Sequence, residues 1–137
     1  MRDFKLSQKF LDEFKGKHPD WGFGALSYVT YKRTYARRIE DENRTEEFWE
    51  TIKRVVEGTF TIQKRHCQQY NLYWDNKKAQ KSAQTMFRKM WEFKFLPPGR
   101  GLWMMGTEAI EKKGGGGLNN CGFTSTSEID INLASPF

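Results

Sequence analysis

Phe95-Leu96-Pro97-Pro98-Gly99-Arg100-Gly101 divides this chain. Two consecutive prolines lack backbone donors, and the two glycines around the arginine favour turns. The stretch predicts neither a regular helix nor a central strand. On its N-terminal side apolar residues recur with a helical period. On its C-terminal side they fall into short pieces among glycines. The expected organisation is a mainly α region over residues 1–94 and a loop with strand-like pieces over residues 95–137.

Working back from the divide, Asp75 is placed to cap a helix running to about Lys94. Ala79, Ala83, Met86, Phe87, Met90 and Trp91 form its apolar face. Thr45 is the expected cap of an earlier helix, with Glu46 and Glu47 in the first turn, where the helix dipole favours anions. Phe48, Ile52, Val55 and Val56 are its stripe, and Gly58 is the expected stop. Phe60 to Leu72 has no clear period. Leu6, Phe10, Leu11 and Phe14 predict a short amphipathic helix that stops at Gly16, and residues 18–24 read as a loop. Tyr28, Tyr31 and Tyr35 share one face if residues 27–38 are helical, although the β-branched content also suits a strand. Glu40 to Arg44 reads as a charged loop.

Forward of the divide, Leu102 to Met105 is a short apolar run and Glu108 to Lys113 suffices for about one helical turn. Gly114 to Gly117 form either a flexible loop or a close backbone passage. Leu118 to Thr126 has strand-like composition, and Ser135-Pro136 looks like the cap and first residue of a helix. These apolar pieces have little partner surface within the chain, so they are expected to open a larger domain.

The 137 residues carry 23 Lys+Arg and 17 Asp+Glu, for a net charge of +6. Every basic residue lies at or before Lys113, and only Glu128 and Asp130 are charged after it. A basic chain with 15% aromatic residues suits phosphate-bearing partners, and a small basic helical nucleic-acid-binding module is the alternative reading. No zinc-finger spacing, RNA-recognition signature or heptad run accompanies it. No stretch approaches the roughly 18 uncharged apolar residues of a membrane span, and the charged N-terminus lacks a signal-peptide core, so no membrane partner is expected. Two cysteines exclude a disulfide-rich scaffold and a four-cysteine zinc site, and a reducing, cytoplasmic setting is the default.

Cys121, between Asn119-Asn120 and Gly122, is the strongest local candidate for chemistry, as a nucleophile or half of a redox pair. Cys67 and the two histidines read as structural, because His66-Cys67 has no further ligands at metal-site spacing. The glycine run lacks the Lys-Ser/Thr of a Walker loop and no strand leads into it. Arg100 is either an anion clamp or a surface residue capping a carbonyl. The tyrosine stripe reads as core.

Four segments in order carry a resemblance: Val29-Thr30-Tyr31-Lys32-Arg33-Thr34-Tyr35-Ala36-Arg37, Lys53-Arg54-Val55-Val56-Glu57-Gly58, Pro98-Gly99-Arg100-Gly101-Leu102-Trp103-Met104-Met105-Gly106-Thr107 and Leu118-Asn119-Asn120-Cys121. Together they resemble the N-terminal region of monomeric class II ribonucleotide reductases, the adenosylcobalamin-dependent ribonucleoside-triphosphate reductases. The resemblance spans about Trp21 to Phe137.

It implies a mainly α N-terminal region leading into the first strand of a ten-stranded α/β barrel, incomplete in this chain. It also implies thiyl-radical reduction of a ribonucleotide. Cys121 matches the family's first redox-active cysteine, and Asn120 the substrate-contacting residue before it. Pro98, Gly99 and Arg100 lie where the substrate phosphate is expected. The implied partners are the remaining C-terminal portion of the reductase, a ribonucleotide substrate, a dNTP effector and a thioredoxin-type reductant. The radical cysteine, the second redox cysteine and the cobalamin-binding region all fall C-terminal of Phe137 in the family. The 137-residue chain alone is therefore expected to be a truncated or split piece without reductase activity.

Overall fold

The apolar stripes of the sequence form two long helices, and the other described residues are arranged around them in a computed structural model that describes residues 3–22 and 24–119. The strand-like run through Asn120 and Cys121 and the Ser135-Pro136 pair lie outside the described residues. In chain order the elements are α1 (Gln8–Leu11), α2 (Ala25–Thr34), β1 (Arg38–Ile39), β2 (Arg44–Thr45), α3 (Phe48–Gln69), α4 (Asn76–Trp91), α5 (Gly99–Met104) and α6 (Glu108–Lys113). A 3₁₀ turn over Glu40–Glu42 joins the two strands, and another over Gly114–Leu118 follows α6.

α3 and α4 pack against each other. α3 buries Phe48, Thr51, Ile52, Val55, Val56 and Phe60, and α4 buries Ala79, Ala83, Phe87 and Met90. Both sets follow the helical period. Phe87 is fully buried and meets the rings of Phe10 and Phe14 at centroid distances of 5.3 and 4.7 Å. Burying each such ring contributes about 1.5–3 kcal/mol.

The extended residues 4–7 bury Phe4 and Leu6 while their backbone groups find partners on the long helices. Phe4 N–H donates to Thr61 Oγ1 at 3.1 Å, Leu6 N–H to Glu57 Oε1 at 3.0 Å and Ser7 N–H to Gln80 Oε1 at 3.2 Å. A segment buried outside regular structure needs such side-chain acceptors.

The start of α3 differs from expectation. Glu47, not Thr45, is its cap: Glu47 and Glu50 form a reciprocal capping box, with Glu47 N–H donating to Glu50 Oε2 at 2.8 Å. Thr45 is instead held in β2, paired antiparallel with Arg38, so the charged loop is a small hairpin turning through Asn43 at φ 48°.

Gly58 does not end α3 either. The helix continues to Gln69 and closes where Asn71 takes φ 54°, with Leu72 N–H donating to Cys67 O at 2.7 Å. Asp75 caps α4 as expected, accepting from the backbone N–H groups of Lys77 at 2.8 Å and Lys78 at 3.1 Å. α4 stops at Trp91, short of Lys94, because Phe93 adopts φ 55° and Lys94 N–H closes back on Lys89 O at 2.9 Å. The Phe93 ring stacks on Phe48 at 5.2 Å, which offsets the backbone cost of a left-handed phenylalanine.

α2 is a helix rather than a strand, but its tyrosines are not equivalent. Tyr31 is buried, Tyr28 is half-buried and Tyr35 caps the C-terminus. The Pro-Pro-Gly-Arg-Gly stretch also departs from expectation, since α5 begins inside it. Pro98 is the N-cap, where a missing N–H is harmless, and its carbonyl accepts from Leu102 N–H at 3.0 Å. The four glycines form 3₁₀ turns, not an open loop.

Candidate functional site

Pro98, Gly99 and Arg100 form the first turn of α5. Gly99 lies flat on Tyr35: a Cβ there would meet the ring and its hydroxyl at 3.3 Å. The exposed Arg100 donates from Nη1 to the carbonyl of Asn119. The first turn of α5 and the residue preceding Asn120 are thus brought together. Asn120 and Cys121 themselves lie outside the described residues.

The other end of α5 is held from α3. The Arg54 guanidinium donates to Met105 O at 2.6 Å and to Leu102 O at 3.1 Å, carbonyls that the short helix leaves without intrahelical partners. Glu46 faces the same guanidinium in a forked pair, at 2.7 Å from Nε and 3.0 Å from Nη2. Both side chains are largely buried, at 13% exposure for Arg54 and 9% for Glu46. Glu46 also accepts from Thr51 Oγ1 at 2.8 Å and from Arg37 N–H at 3.2 Å. The Tyr31 hydroxyl donates to Glu46 O at 3.1 Å and lies 2.8 Å from Thr51 Oγ1. Burial pushes the Tyr31 phenol well above its usual range, so it stays protonated and able to donate.

Glycines complete the join. A Cβ on Gly58 would come within 2.5 Å of Gly106 Cα, so α3 and the turn after α5 meet backbone to backbone. Gly106 itself has φ 74° and sits against the Arg54 carbonyl.

Neither Glu46 nor Arg54 reads as a site residue in the sequence, although Arg54 lies in one of the resembling segments. Arg54 lies 48 and 51 positions before the carbonyls it holds, and Glu46 reads there as an ordinary first-turn carboxylate. Cys67 is half-buried near the end of α3, and His66 packs on Tyr70 at 4.7 Å. Among the described residues no group of three metal-ligating side chains is gathered, and no helix is long and apolar enough to cross a membrane.

Many of the basic side chains are paired rather than presented to a polyanion. Arg44 pairs with Glu50 at 2.6 Å, Lys32 with Glu47 at 2.7 Å, Arg65 with Asp3 at 2.8 Å and Arg88 with Glu13 at 2.8 Å. Two larger grooves flank the Arg54–Glu46 pair and α5. One, of about 600 Å³, includes Lys53, Arg54, Glu57, Arg65 and Glu111. The other, of about 700 Å³, is mainly apolar and includes Trp21, Leu26, Tyr31, Phe93 and Leu96.

A family model described as the ribonucleotide reductase alpha domain matches residues 6–107, which takes in α1 to α5 and the turn held by Arg54. The chain is 43% identical over 138 residues to a probable adenosylcobalamin-dependent ribonucleoside-triphosphate reductase of Dictyostelium discoideum, covering 100% of this chain and 18% of that protein. It is 43% identical to the adenosylcobalamin-dependent ribonucleoside-triphosphate reductase of Euglena gracilis, covering 98% of this chain and 18% of that one. A solved structure of a B-12 dependent (class II) ribonucleotide reductase matches with a TM-score of 0.72 at 36% identity, over 87% of this chain and 16% of that chain. The chain thus spans less than a fifth of the length of these relatives. With the family model covering most of its length and the helices superposing on a solved relative, the chain belongs to the ribonucleotide reductase alpha-domain family.

Proposed function

We propose that this chain is the N-terminal region of an adenosylcobalamin-dependent ribonucleoside-triphosphate reductase and that Cys121 is its redox-active cysteine. Residues 1–94 form the helical platform, and residues 95–137 lead from α5 into the first strand of the catalytic barrel. The observation that supports the reading is the contact from Arg100 Nη1 to the carbonyl of Asn119, a residue two positions before Cys121 in the sequence. In the complete enzyme Arg100 and the backbone at Pro98-Gly99 face the substrate phosphates, and Asn120 orients the ribose.

Cys121 and a second cysteine from the rest of the barrel act as a dithiol. The pair gives up two electrons and two protons and closes a disulfide. The ribose 2′-hydroxyl departs as water, and a hydrogen takes its place on the 2′-carbon. A strand holds such a thiol within disulfide reach more rigidly than a loop does. A thioredoxin-type reductant reopens the disulfide, and a dNTP effector acts elsewhere on the enzyme.

Adenosylcobalamin supplies the radical chemistry when bound, but the described residues do not fit it. One groove is crossed by the Arg54–Glu46, Lys5–Glu57 and Arg65–Glu111 ion pairs. The other is backed by the mutually packed rings of Trp21, Tyr31 and Phe48. Both are of a size for a compact ligand, not a corrin with its nucleotide tail.

The test combines this chain with the remaining catalytic domain, adenosylcobalamin and a thioredoxin system. Ribonucleotide reduction is expected to appear, and Cys121→Ser is expected to abolish repeated turnover. Full multiple-turnover activity of the Cys121→Ser assembly would refute the assignment.

A further inference from the structure

We propose that Arg54, oriented by Glu46, is a positioning residue for substrate-phosphate binding: it fixes the C-terminal end of α5 so that Arg100, at the other end, is correctly presented. This rests on the reading of Pro98–Arg100 as the phosphate-facing turn.

α5 has six residues and little intrinsic stability. Leu102 is its buried side chain, while Trp103 is 48% exposed. An apolar anchor of one residue allows the helix to rock and rotate. Three polar and steric restraints remove that freedom. Arg54 takes the Leu102 and Met105 carbonyls, which fixes rotation about the helix axis. Gly58 and Gly106 meet backbone to backbone, which fixes the distance from α3. Gly99 rests on the Tyr35 ring, and Tyr35 is the C-cap of α2, so the first turn is located against a second helix.

Glu46 is what makes a largely buried arginine tolerable there. It engages Arg54 through two nitrogens and is itself tied to Thr51 and to the Arg37 backbone. Lysine cannot replace this arrangement. A guanidinium has five donors in a planar fork, enough for Glu46 and two carbonyls at once, whereas an ammonium is a single point of charge. In this reading the latch acts on substrate binding through α5.

The experiment has two readouts. Hydrogen exchange is followed on the 137-residue chain carrying Arg54→Lys, with Glu46→Gln as a second variant should the first fold poorly. Amides of residues 99–105 are expected to exchange about tenfold faster, with α4 amides near Phe87 changed by less than about twofold. Unchanged exchange in α5, or an equal loss of protection throughout the chain, would overturn the latch.

In the assembled reductase, Arg54→Lys is expected to raise KM for the nucleotide about tenfold with kcat within about twofold. Arg100→Ala is expected to do the same, and the double variant to be no worse than either, because both remove one coupled function. Additive effects, or a fall in kcat alone, would overturn the positioning role. If Arg100→Ala leaves KM unchanged, the phosphate-facing reading of α5 fails, and the positioning role that rests on it fails too. Faster exchange confined to α5 would in that case still support Arg54 as the mechanical latch of the helix.

Discussion

Phe87 on α4 and Leu102 on α5 belong to one buried apolar cluster, at 0% and 5% exposure, but what joins their helices to α3 differs. Phe87 meets the rings of Phe10 on α1 and of Phe14 just after it, within an apolar cluster shared with α3 and α4. Around Leu102 the join to α3 is made by a guanidinium, two carbonyls and two glycines. The first contact is non-directional and tolerates small shifts. The second is directional and fails if any of its few members moves. A region that has only to exist is secured by area, while the region proposed to present Arg100 is secured by geometry.

The contrast is broken most severely at Phe87. Phe87→Ala is expected to cost about 3–5 kcal/mol through lost transfer energy and the cavity left behind, read as a fall in the denaturant midpoint. Gly58→Ala separates the two modes more sharply. On helix propensity alone the change would stabilise α3 by about 1 kcal/mol. The new Cβ meets Gly106 Cα at 2.5 Å, however, so a net loss of about 1–3 kcal/mol is expected. A gain in stability would mean that the backbone contact is not tight.

Asp75→Ala removes the α4 cap, which accepts from two backbone N–H groups. A loss of about 1 kcal/mol is expected by thermal or chemical unfolding, because the helix keeps its apolar face. The smallest effect concerns Glu50. Burial acts against its charge, but the Arg44 guanidinium and the Glu47 backbone N–H outweigh that and hold its carboxyl below the usual value of 4.5. A depressed folded-state value means its contribution is complete above 4.5 and fades as pH falls through the folded value. The stability difference between the wild type and Glu50→Gln should therefore shrink on acidification from about pH 6 to about pH 3. A difference that grows on acidification would reverse the assignment.

The helical core is legible in the sequence because its information is local. Phe48, Ile52, Val55 and Val56, and then Ala79, Ala83, Phe87 and Met90, repeat at the helical period and are buried, while Met86 and Trp91 of the same expected face are partly buried. Asp75 shows its role because a cap acts on amides two and three residues away. Gly58 misleads for the opposite reason. Its lack of a side chain serves Gly106, far along the chain, and the true stop of α3 is Asn71 in a left-handed conformation. Thr45 offers a good capping oxygen, but the hairpin claims its backbone and Glu47 caps in its place.

The candidate site is legible as composition and not as architecture. Pro98, Gly99 and Arg100 stand together in sequence and are together at the start of α5. The far end of that helix is received by Arg54 through the Leu102 and Met105 carbonyls, across 48 and 51 positions, which no local pattern encodes. The sequence leaves Arg100 as either an anion clamp or a carbonyl cap. Its contact with Asn119 O fits the second role, and the exposed remainder of the guanidinium leaves room for the first.

The most direct measurement is disulfide mapping after a single round of reduction. The pre-reduced assembly is given ribonucleotide without thioredoxin, quenched by alkylation and analysed by peptide mass spectrometry. Cys121 is expected in a disulfide with a cysteine of the remaining catalytic domain, in proportion to the deoxynucleotide formed. Deoxynucleotide accumulating while Cys121 is recovered fully alkylated would contradict its role as the reductant.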